Sequence, residues 1–405
     1  MLASKNNSAR VIIGANFGDE GKGRMVDHYS DSHTLVVRHN SGSQAGHTVT
    51  RSENIRHVFH HVGSGTLKRA ETYLSEFFVH NPIAFGDEID ALAKIGFTPV
   101  IYADPNSRVT SHYEVMINQI VESSRDTARH GSCGLGFHET VVRDRDFCPL
   151  RIGFDINQIH NAVKRIRTEW VPNRLASLGI DIDELSSRPG QQDWNSHLNN
   201  GDILEHWLED FIFMKEHFEI VPAEKMSGRK IIFESAQGLL LDEDNSAFFP
   251  HLTHSKTGIF NAARLAPKFG IDTLHPVYVT RSYMTRHGAG PFPTEVPGMK
   301  FEDRTNLPNN WQQTLRFGHL DLDLMRKSLF SDMASAGDLL GNSTIAVTCL
   351  DQTEDGLKVK KFGEIVESDN HSLLYELSDA FDSEVIGMPA EIEEKPIDQV
   401  VVNYG

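Results

Sequence analysis

Cysteine is scarce in this chain. Only Cys133, Cys148 and Cys349 occur in 405 residues. They are scattered, without even pairing or metal-type spacing, so a disulfide scaffold and a zinc motif are both excluded. The pattern is that of incidental thiols in a reducing cytoplasm. Positive charge is also short, with 39 Lys and Arg against 56 Asp and Glu and a formal net charge of −17. A chain this acidic is repelled by phosphate backbones, which excludes general nucleic-acid binding; a nucleotide must be gripped by local positive features. No apolar run is long enough to cross a bilayer. The polar start, Met1 to Arg10, lacks the apolar centre of a secretion signal, so a cytoplasmic location is expected. There is no internal repeat and no low-complexity linker, and one elaborated domain over residues 1–405 is expected.

The hydrophobic fraction of 39% is enough for a sizeable core. Short apolar, β-rich runs recur at Arg10–Gly14, Thr34–His39, Pro99–Asp104, Lys230–Glu234, Pro276–Tyr283, Thr344–Leu350 and Gln399–Val402. Such runs read as buried strands. Helical spacing of apolar residues marks His112–His130 and Asp202–Phe218, whereas the polar stretch Asp181–Asn200, with Pro189 and Gly190, reads as a surface connection. The alternation predicts an α/β fold with a central, mostly parallel sheet flanked by helices.

The most informative segment is V-I-I-G-A-N-F-G-D-E-G-K-G-R, Val11 to Arg24, in which a strand runs into a glycine loop and then a helix starting near Lys22. Gly18, Gly21 and Gly23 let backbone amides converge on phosphate oxygens, and Lys22 adds a point charge. This is not the usual phosphate loop, because Asn16 replaces the first glycine and Gly23 follows the lysine. Asp19 and Glu20 lie inside it. A carboxylate among phosphates is costly unless it holds a metal or moves a proton. The alternative is a plain glycine turn with a solvated acidic tip. A second glycine-containing turn, Arg38 to Val49, places His47 beyond the next strand, where α/β sites form.

G-D-E-G-K-G and A-G-H-T-V resemble the two signatures of the adenylosuccinate synthetase family. Further blocks follow in the family's order: F-H-H-V-G-S-G (Phe59–Gly65), G-S-C-G-L-G (Gly131–Gly136), F-E-S-A-Q-G-L-L-L-D (Phe233–Asp242), T-R-H-G-A-G-P-F-P-T-E (Thr285–Glu295) and T-C-L-D (Thr348–Asp351). The resemblance implies a ligase that phosphorylates the six-oxygen of a purine monophosphate and displaces it with L-aspartate. It makes Asp19 the base for the purine N1 proton, His47 the residue on the transferred phosphate, and Gln237 the residue that orients O6. Mg²⁺ would sit on Asp19 and the Gly46 carbonyl, and Lys22 on the triphosphate. Ser132 and Cys133 would hold the monophosphate, although Cys133 is a weaker donor than the family's threonine there. The family also borrows an arginine from a neighbouring subunit, which implies a homodimer; Arg143 and Arg145 are the candidates. Asp351 would accept both N1–H and N2–H of guanine, favouring GTP as donor over ATP.

Some residues depart from the family pattern. The base-facing loop normally reads G-G-x-N-A-G-H; here it is Ser41-Gly42-Ser43-Gln44-Ala45-Gly46-His47. Its added acceptors suit the 2-amino group that guanine has and hypoxanthine lacks, since an unmatched buried polar group costs about 1–3 kcal/mol. His287 replaces a small apolar residue near the sugar. The arginine-rich aspartate loop becomes Asn309 to Asp321, leaving Thr314 and Arg316 as carboxylate partners, with Arg304 farther off. This pattern is similar to the bacteriophage and archaeal branch, whose phage members make 2-amino-adenylosuccinate from dGMP for diaminopurine DNA. dGMP is therefore the expected acceptor, with IMP as the alternative. A phage-encoded enzyme of this kind would work in the host cytoplasm. A non-catalytic nucleotide-binding regulator is disfavoured because Asp19, Lys22, His47 and Gln237 are all kept, and an unrelated GTPase switch is disfavoured by the atypical loop.

Overall fold

A computed structural model describes residues 7–52, 55–125, 132–188, 191–303 and 315–389. Its centre is a nine-stranded sheet in which every pairing is parallel. In spatial order the strands are Glu384–Gly387, Thr344–Thr348, Thr273–Arg281, Ser8–Gly14 (β1), Lys230–Glu234, Thr34–Arg38 (β2), Glu71–Leu74, Ile101–Ala103 and Phe218–Ile220. Buried on both faces, these strands are near-continuous apolar runs; Val11, Ile12 and Ile13 of β1 have no exposed surface.

The path through the sheet positions the site. From β1 the chain steps outward through β2 and Glu71–Leu74 to the edge strand Phe218–Ile220. It then returns to insert Lys230–Glu234 between β1 and β2, and crosses β1 to build the opposite half. The strand order reverses around β1, and the crevice beyond the carboxyl ends of strands at such a reversal is where α/β proteins bind ligands. The turns after β1, β2, Lys230–Glu234 and Thr344–Thr348 all open there.

The mostly parallel sheet expected from the alternating runs is present. Three strands of the central sheet have no counterpart among the predicted runs: Glu71–Leu74, Phe218–Ile220 and Glu384–Gly387. The helix expected over Asp202–Phe218 spans Gly201–Glu216, and Phe218 instead starts the edge strand, where it pairs with Ile101. The helix at His112 runs to Ser124, opened by a reciprocal Ser111–Glu114 cap. Asp181–Asn200 is not a simple connection. It contains the helices Ile182–Ser187 and Trp194–Asn199, started by Asp181 and Asp193 and anchored by buried Leu185, Trp194 and Leu198. Their few apolar anchors are masked by polar neighbours in the sequence. Gln399–Val402, Pro189 and Gly190 lie outside the described residues. Among the described residues, no helix is long and apolar enough to cross a membrane.

Candidate active site

The glycine loop runs from β1 into helix α1, Lys22–Tyr29, through Gly18 and Gly21, both at positive φ. Of its two acids only Asp19 reaches solvent. Glu20 is buried, and its Oε1 accepts from the loop's own Asn16 N at 2.6 Å and Gly18 N at 3.4 Å. The Lys22 ammonium lies 3.7 Å from Oε2, an oxygen without a hydrogen-bond donor. Burial outweighs Lys22 and the amides and pushes the Glu20 carboxyl up to about 7. The loop therefore builds an anion position from amides and a lysine, as a phosphate cradle requires, and a side chain of the loop itself takes it. Gly14 must be glycine, because a Cβ there would stand 2.2 Å from Glu20 Oε2 and 2.6 Å from the Gln237 carbonyl.

Asp19 follows at φ 61 and Gln237 at φ 68, left-handed conformations unusual for side-chain-bearing residues. Ser41 and Cys349, beyond two other parallel strands, share it at φ 61 and φ 62. Strained backbone thus converges on one end of the sheet from four strands. The Asp19 carbonyl accepts from Arg281 Nε at 2.6 Å, and its carboxylate Oδ2 lies 3.5 Å from His287 Nε2.

His47 is the best-defined group. It begins the strand His47–Ser52 and is buried, with Nδ1 2.5 Å from Glu234 Oε1. Glu234 ends its strand beside Arg38 in the parallel ladder, and also accepts from the backbone N–H and the hydroxyl of Ser64. Burial raises the Glu234 carboxyl, but Arg38, His47 and Ser64 outweigh it and hold it at about 2. Burial, aided by Arg38 and Lys22, depresses the His47 imidazole to about 4 despite Glu234. Burial thus favours the neutral ring; Nδ1 faces Glu234, and Nε2 is enclosed without a partner among the described residues. A carboxylate that fixes the ring through one nitrogen leaves the other for a ligand.

Around this centre, Asn40 ties the β2 turn to the next. Its amide accepts from Ala236 N at 2.8 Å and donates to the Ala236 and Lys256 carbonyls. Ser43 is buried, and its carbonyl lies 2.9 Å from His60 Nδ1. The Gln44 amide donates to the Ser41 hydroxyl at 2.5 Å, which leaves Gln44 Oε1 as an acceptor. Ser132 exchanges hydrogen bonds with Asn118 and accepts from Gly134 N at 3.1 Å, so its hydroxyl is already tied within the turn. Burial pushes the Cys133 thiol up to about 11, keeping it protonated.

Of the two arginine candidates, Arg143 is an internal strut. It is fully buried, pairs with Glu114 at 2.9 Å and donates to the Cys148 and Val109 carbonyls, so it cannot reach a neighbouring molecule. Arg145 is exposed at the end of the helix Phe137–Asp146, against Asp146. Arg316 donates to Glu295 at 2.7 Å and to the Gly290 carbonyl at 2.9 Å, so two of its donors are engaged. Asp351 is exposed in the short turn after Cys349, within electrostatic reach of Arg24. Gly46 is exposed beside His47. Thr314 and Arg304 lie outside the described residues.

Glu234, Ser64, Asn40 and Arg281 carry much of this geometry, yet motif reading gave them no role. One signal was available for Glu234: an acidic residue closing an otherwise apolar parallel strand needs a buried partner.

A phosphate cradle, a carboxylate in a strained turn and a carboxylate-backed histidine at a sheet's switch point define a nucleotide-dependent group-transfer enzyme. The family model described as adenylosuccinate synthetase matches residues 11–360. Similar curated proteins include the adenylosuccinate synthetases of Thermoplasma acidophilum (28% identical over 336 residues, 81% of this chain and 74% of that one) and Francisella philomiragia (28% over 356 residues, 85% and 78%). Among solved structures, fully ligated adenylosuccinate synthetase from Plasmodium falciparum superposes with a TM-score of 0.65 at 18% identity, covering 98% of this chain and all of that one. Succinoaminodeoxyadenylate synthetase of cyanophage S-2L, bound to dGMP and to dATP as an energy donor, superposes at 0.56 with 14% identity, over 94% and 93%. The chain belongs to the adenylosuccinate synthetase family and is a carbon–nitrogen ligase acting on aspartate.

Proposed function

We propose that this enzyme joins L-aspartate to C6 of dGMP through a 6-phosphoryl intermediate, giving 2-amino-2′-deoxy-N6-succinyl-adenylate. The observation that carries the choice of acceptor is the Ser41–Gln44 loop, where tying the Gln44 amide to Ser41 leaves a carbonyl oxygen able to accept from a purine 2-amino group. The solved cyanophage enzyme bound to dGMP, which shares the fold, is compatible with this. The reading under which IMP is the acceptor draws on the curated relatives at 28% identity, which are adenylosuccinate synthetases.

In the mechanism, Asp19 takes the N1 proton and charge builds on O6. O6 attacks the γ-phosphorus of the donor, and the bond to the diphosphate breaks. The aspartate amine then attacks C6, loses a proton and expels phosphate. His47, held by Glu234, offers Nε2 to the transferring phosphate, while Gln237 orients O6. Lys22 and the amides of Gly18, Gly21 and Gly23 cradle the donor, with Glu20 yielding the anion position. Asp351 reads the donor base, favouring GTP, with ATP as the alternative. Ser132, Cys133 and the surrounding amides hold the monophosphate, and Arg145 completes that site from the second subunit of a homodimer. Arg316 and, by its place in the motif, Thr314 are the partners assigned to the aspartate carboxylates.

The donor set suits Mg²⁺. Asp19 and the Gly46 carbonyl are hard oxygens. Among the described residues no group of three or more His, Cys, Asp and Glu could hold a metal by itself. When bound, Mg²⁺ neutralises charge on the transferring phosphoryl group.

The test is phosphate release with aspartate, a triphosphate and each of IMP, dIMP, GMP and dGMP. We expect the highest kcat/KM for dGMP, about tenfold or more above IMP, the discrimination an unmatched buried polar group gives. IMP as the best of the four replaces this with an ordinary adenylosuccinate synthetase. No release with any of them makes the protein a regulator.

A further inference from the structure

We propose that His287 is a positioning residue for Asp19, holding one oxygen of the carboxylate so that the other faces the purine N1–H. This rests on the reading of Asp19 as the base. The sequence position suggested a different job, crowding the sugar, but the structure sets His287 Nε2 3.5 Å from Asp19 Oδ2. Nδ1 of the ring is shielded and has no hydrogen-bond partner among the described residues. With its proton on Nε2, the ring presents an N–H to the carboxylate.

The segment carrying His287 is built to stay there. It leaves the strand Met284–Arg286, and Arg286 is buried with its guanidinium 4.3 Å from the centre of the Phe17 ring, two residues before Asp19. Arg286 also donates to the Pro291 carbonyl at 2.7 Å and the His251 carbonyl at 3.1 Å. At the other end of the segment, Arg281 donates to the Asp19 carbonyl at 2.6 Å and pairs with Asp303 at 2.9 Å. The stretch from Arg281 to His287 thus meets Asp19 twice, by a hydrogen bond to its backbone carbonyl and by the approach of His287 to its carboxylate. These two approaches have a use. Asp19 sits at φ 61, a conformation that persists only when its surroundings over-determine it. An aspartate's χ2 is soft, so a neighbour at one oxygen narrows the directions in which the other can point.

The experiment uses His287→Ala, His287→Phe and His287→Gln in the full chain, each checked for unchanged circular dichroism and donor Kd. The readouts are kcat and KM for the preferred monophosphate, and the ratio of deoxy to ribo acceptor. Misplacing a reacting group by about 1 Å costs roughly 10²-fold. We therefore expect Ala and Phe each to lower kcat about 10²-fold with KM within about twofold, and Gln, which restores an N–H, to recover to within about tenfold of wild type. In an Asp19→Asn background, His287→Ala should add less than a further twofold loss, because residues acting as a unit are not additive. Wild-type kcat in the Phe or Ala variant overturns the proposal, as does an additive loss in the double variant. A changed deoxy-to-ribo ratio with kcat intact overturns it too and places His287 on the sugar. Failure of the underlying reading looks different: Asp19→Asn alone would then keep wild-type turnover.

Discussion

The carboxyl end of the sheet and the helical layer between Phe137 and Glu216 follow opposite rules. At the sheet end, four side-chain-bearing residues from four strand ends adopt left-handed backbone; none does so among the described residues of the helical layer. The sheet end encloses Glu20 Oε2, His47 Nε2 and both ring nitrogens of His39 without hydrogen-bond partners among the described residues. The helical layer satisfies its backbone locally. Asp155 and Gln158 cap each other's amides, and Asp181, Asp193 and Asn200 each cap a helix start. Its core is ordinary packing, with Trp207 and Phe211 stacked at 5.6 Å. Strain and unpaired polar atoms reduce stability. The helical layer also encloses unpaired atoms, Trp170 Nε1 and Trp194 Nε1 among them, so the left-handed backbone is what separates the two regions, and its gathering at four strand ends marks the end of the sheet built for ligands.

The largest effect expected from this contrast is in turnover. Asp19→Asn keeps the shape and the left-handed turn but cannot take a proton. We expect kcat to fall about 10²–10⁴-fold, the usual worth of a general base, while donor binding by calorimetry stays near wild type. Retention of more than about a tenth of the wild-type rate removes Asp19 from the chemistry.

How much of this division was legible in sequence depends on range. Glycine turns and buried apolar runs are local, so β1, β2, the Lys230–Glu234 strand and the phosphate loop could be read directly. Glu71–Leu74 and Phe218–Ile220 could not, because strands of four and three residues acquire their identity from ladder partners. The site was legible as motifs and illegible as contacts. His47 meets Glu234 across 187 residues, and Ser64 meets the same carboxylate across 170. The burial of Glu20 is not legible in sequence either, because its own loop folds over it. Arg143 and Arg145 are equivalent by pattern; helix phase alone turns one inward and the other outward.

A smaller, pH-dependent effect tests a buried acid that couples the sheet to the loop on its flank. Asp332 accepts from the Tyr278 hydroxyl and from Ile259 N, both at 2.8 Å. Burial pushes its carboxyl from 3.8 up to about 7. Below about pH 4 it is protonated in both folded and unfolded chains and costs nothing. Between about pH 4 and 7 the folded form binds the extra proton, so stability falls as pH rises, and above pH 7 the cost is complete. Asparagine can accept from Ile259 N and donate to Tyr278 without ionising. We expect Asp332→Asn to raise Tm at pH 8 and to raise it less at pH 5. An equal gain at both values means the carboxyl is not held protonated.

The smallest effect belongs to the helical layer and tests the division from its other side. Asp155 accepts from Gln158 N at 2.9 Å and its own N–H donates to Gln158 Oε1 at 2.9 Å, closing the start of the helix Ile156–Arg165. That helix is held by Ile159, Ala162 and Val163 on one face, while Asp155 itself is exposed and touches no group of the candidate site. Replacing it with alanine frees the first-turn amides to water and removes one favourable charge at the helix start. Substitutions of this kind cost about 1 kcal/mol. We expect a Tm lowered by no more than a few degrees and faster hydrogen exchange in the first turn of that helix, with kcat and every KM unchanged within about twofold. Stability drawn from locally satisfied helices is separable from catalysis because no strained residue depends on them. A fall in kcat beyond about twofold would show that the layer transmits its packing to the sheet end, and the two regions would have to be treated as one mechanical unit.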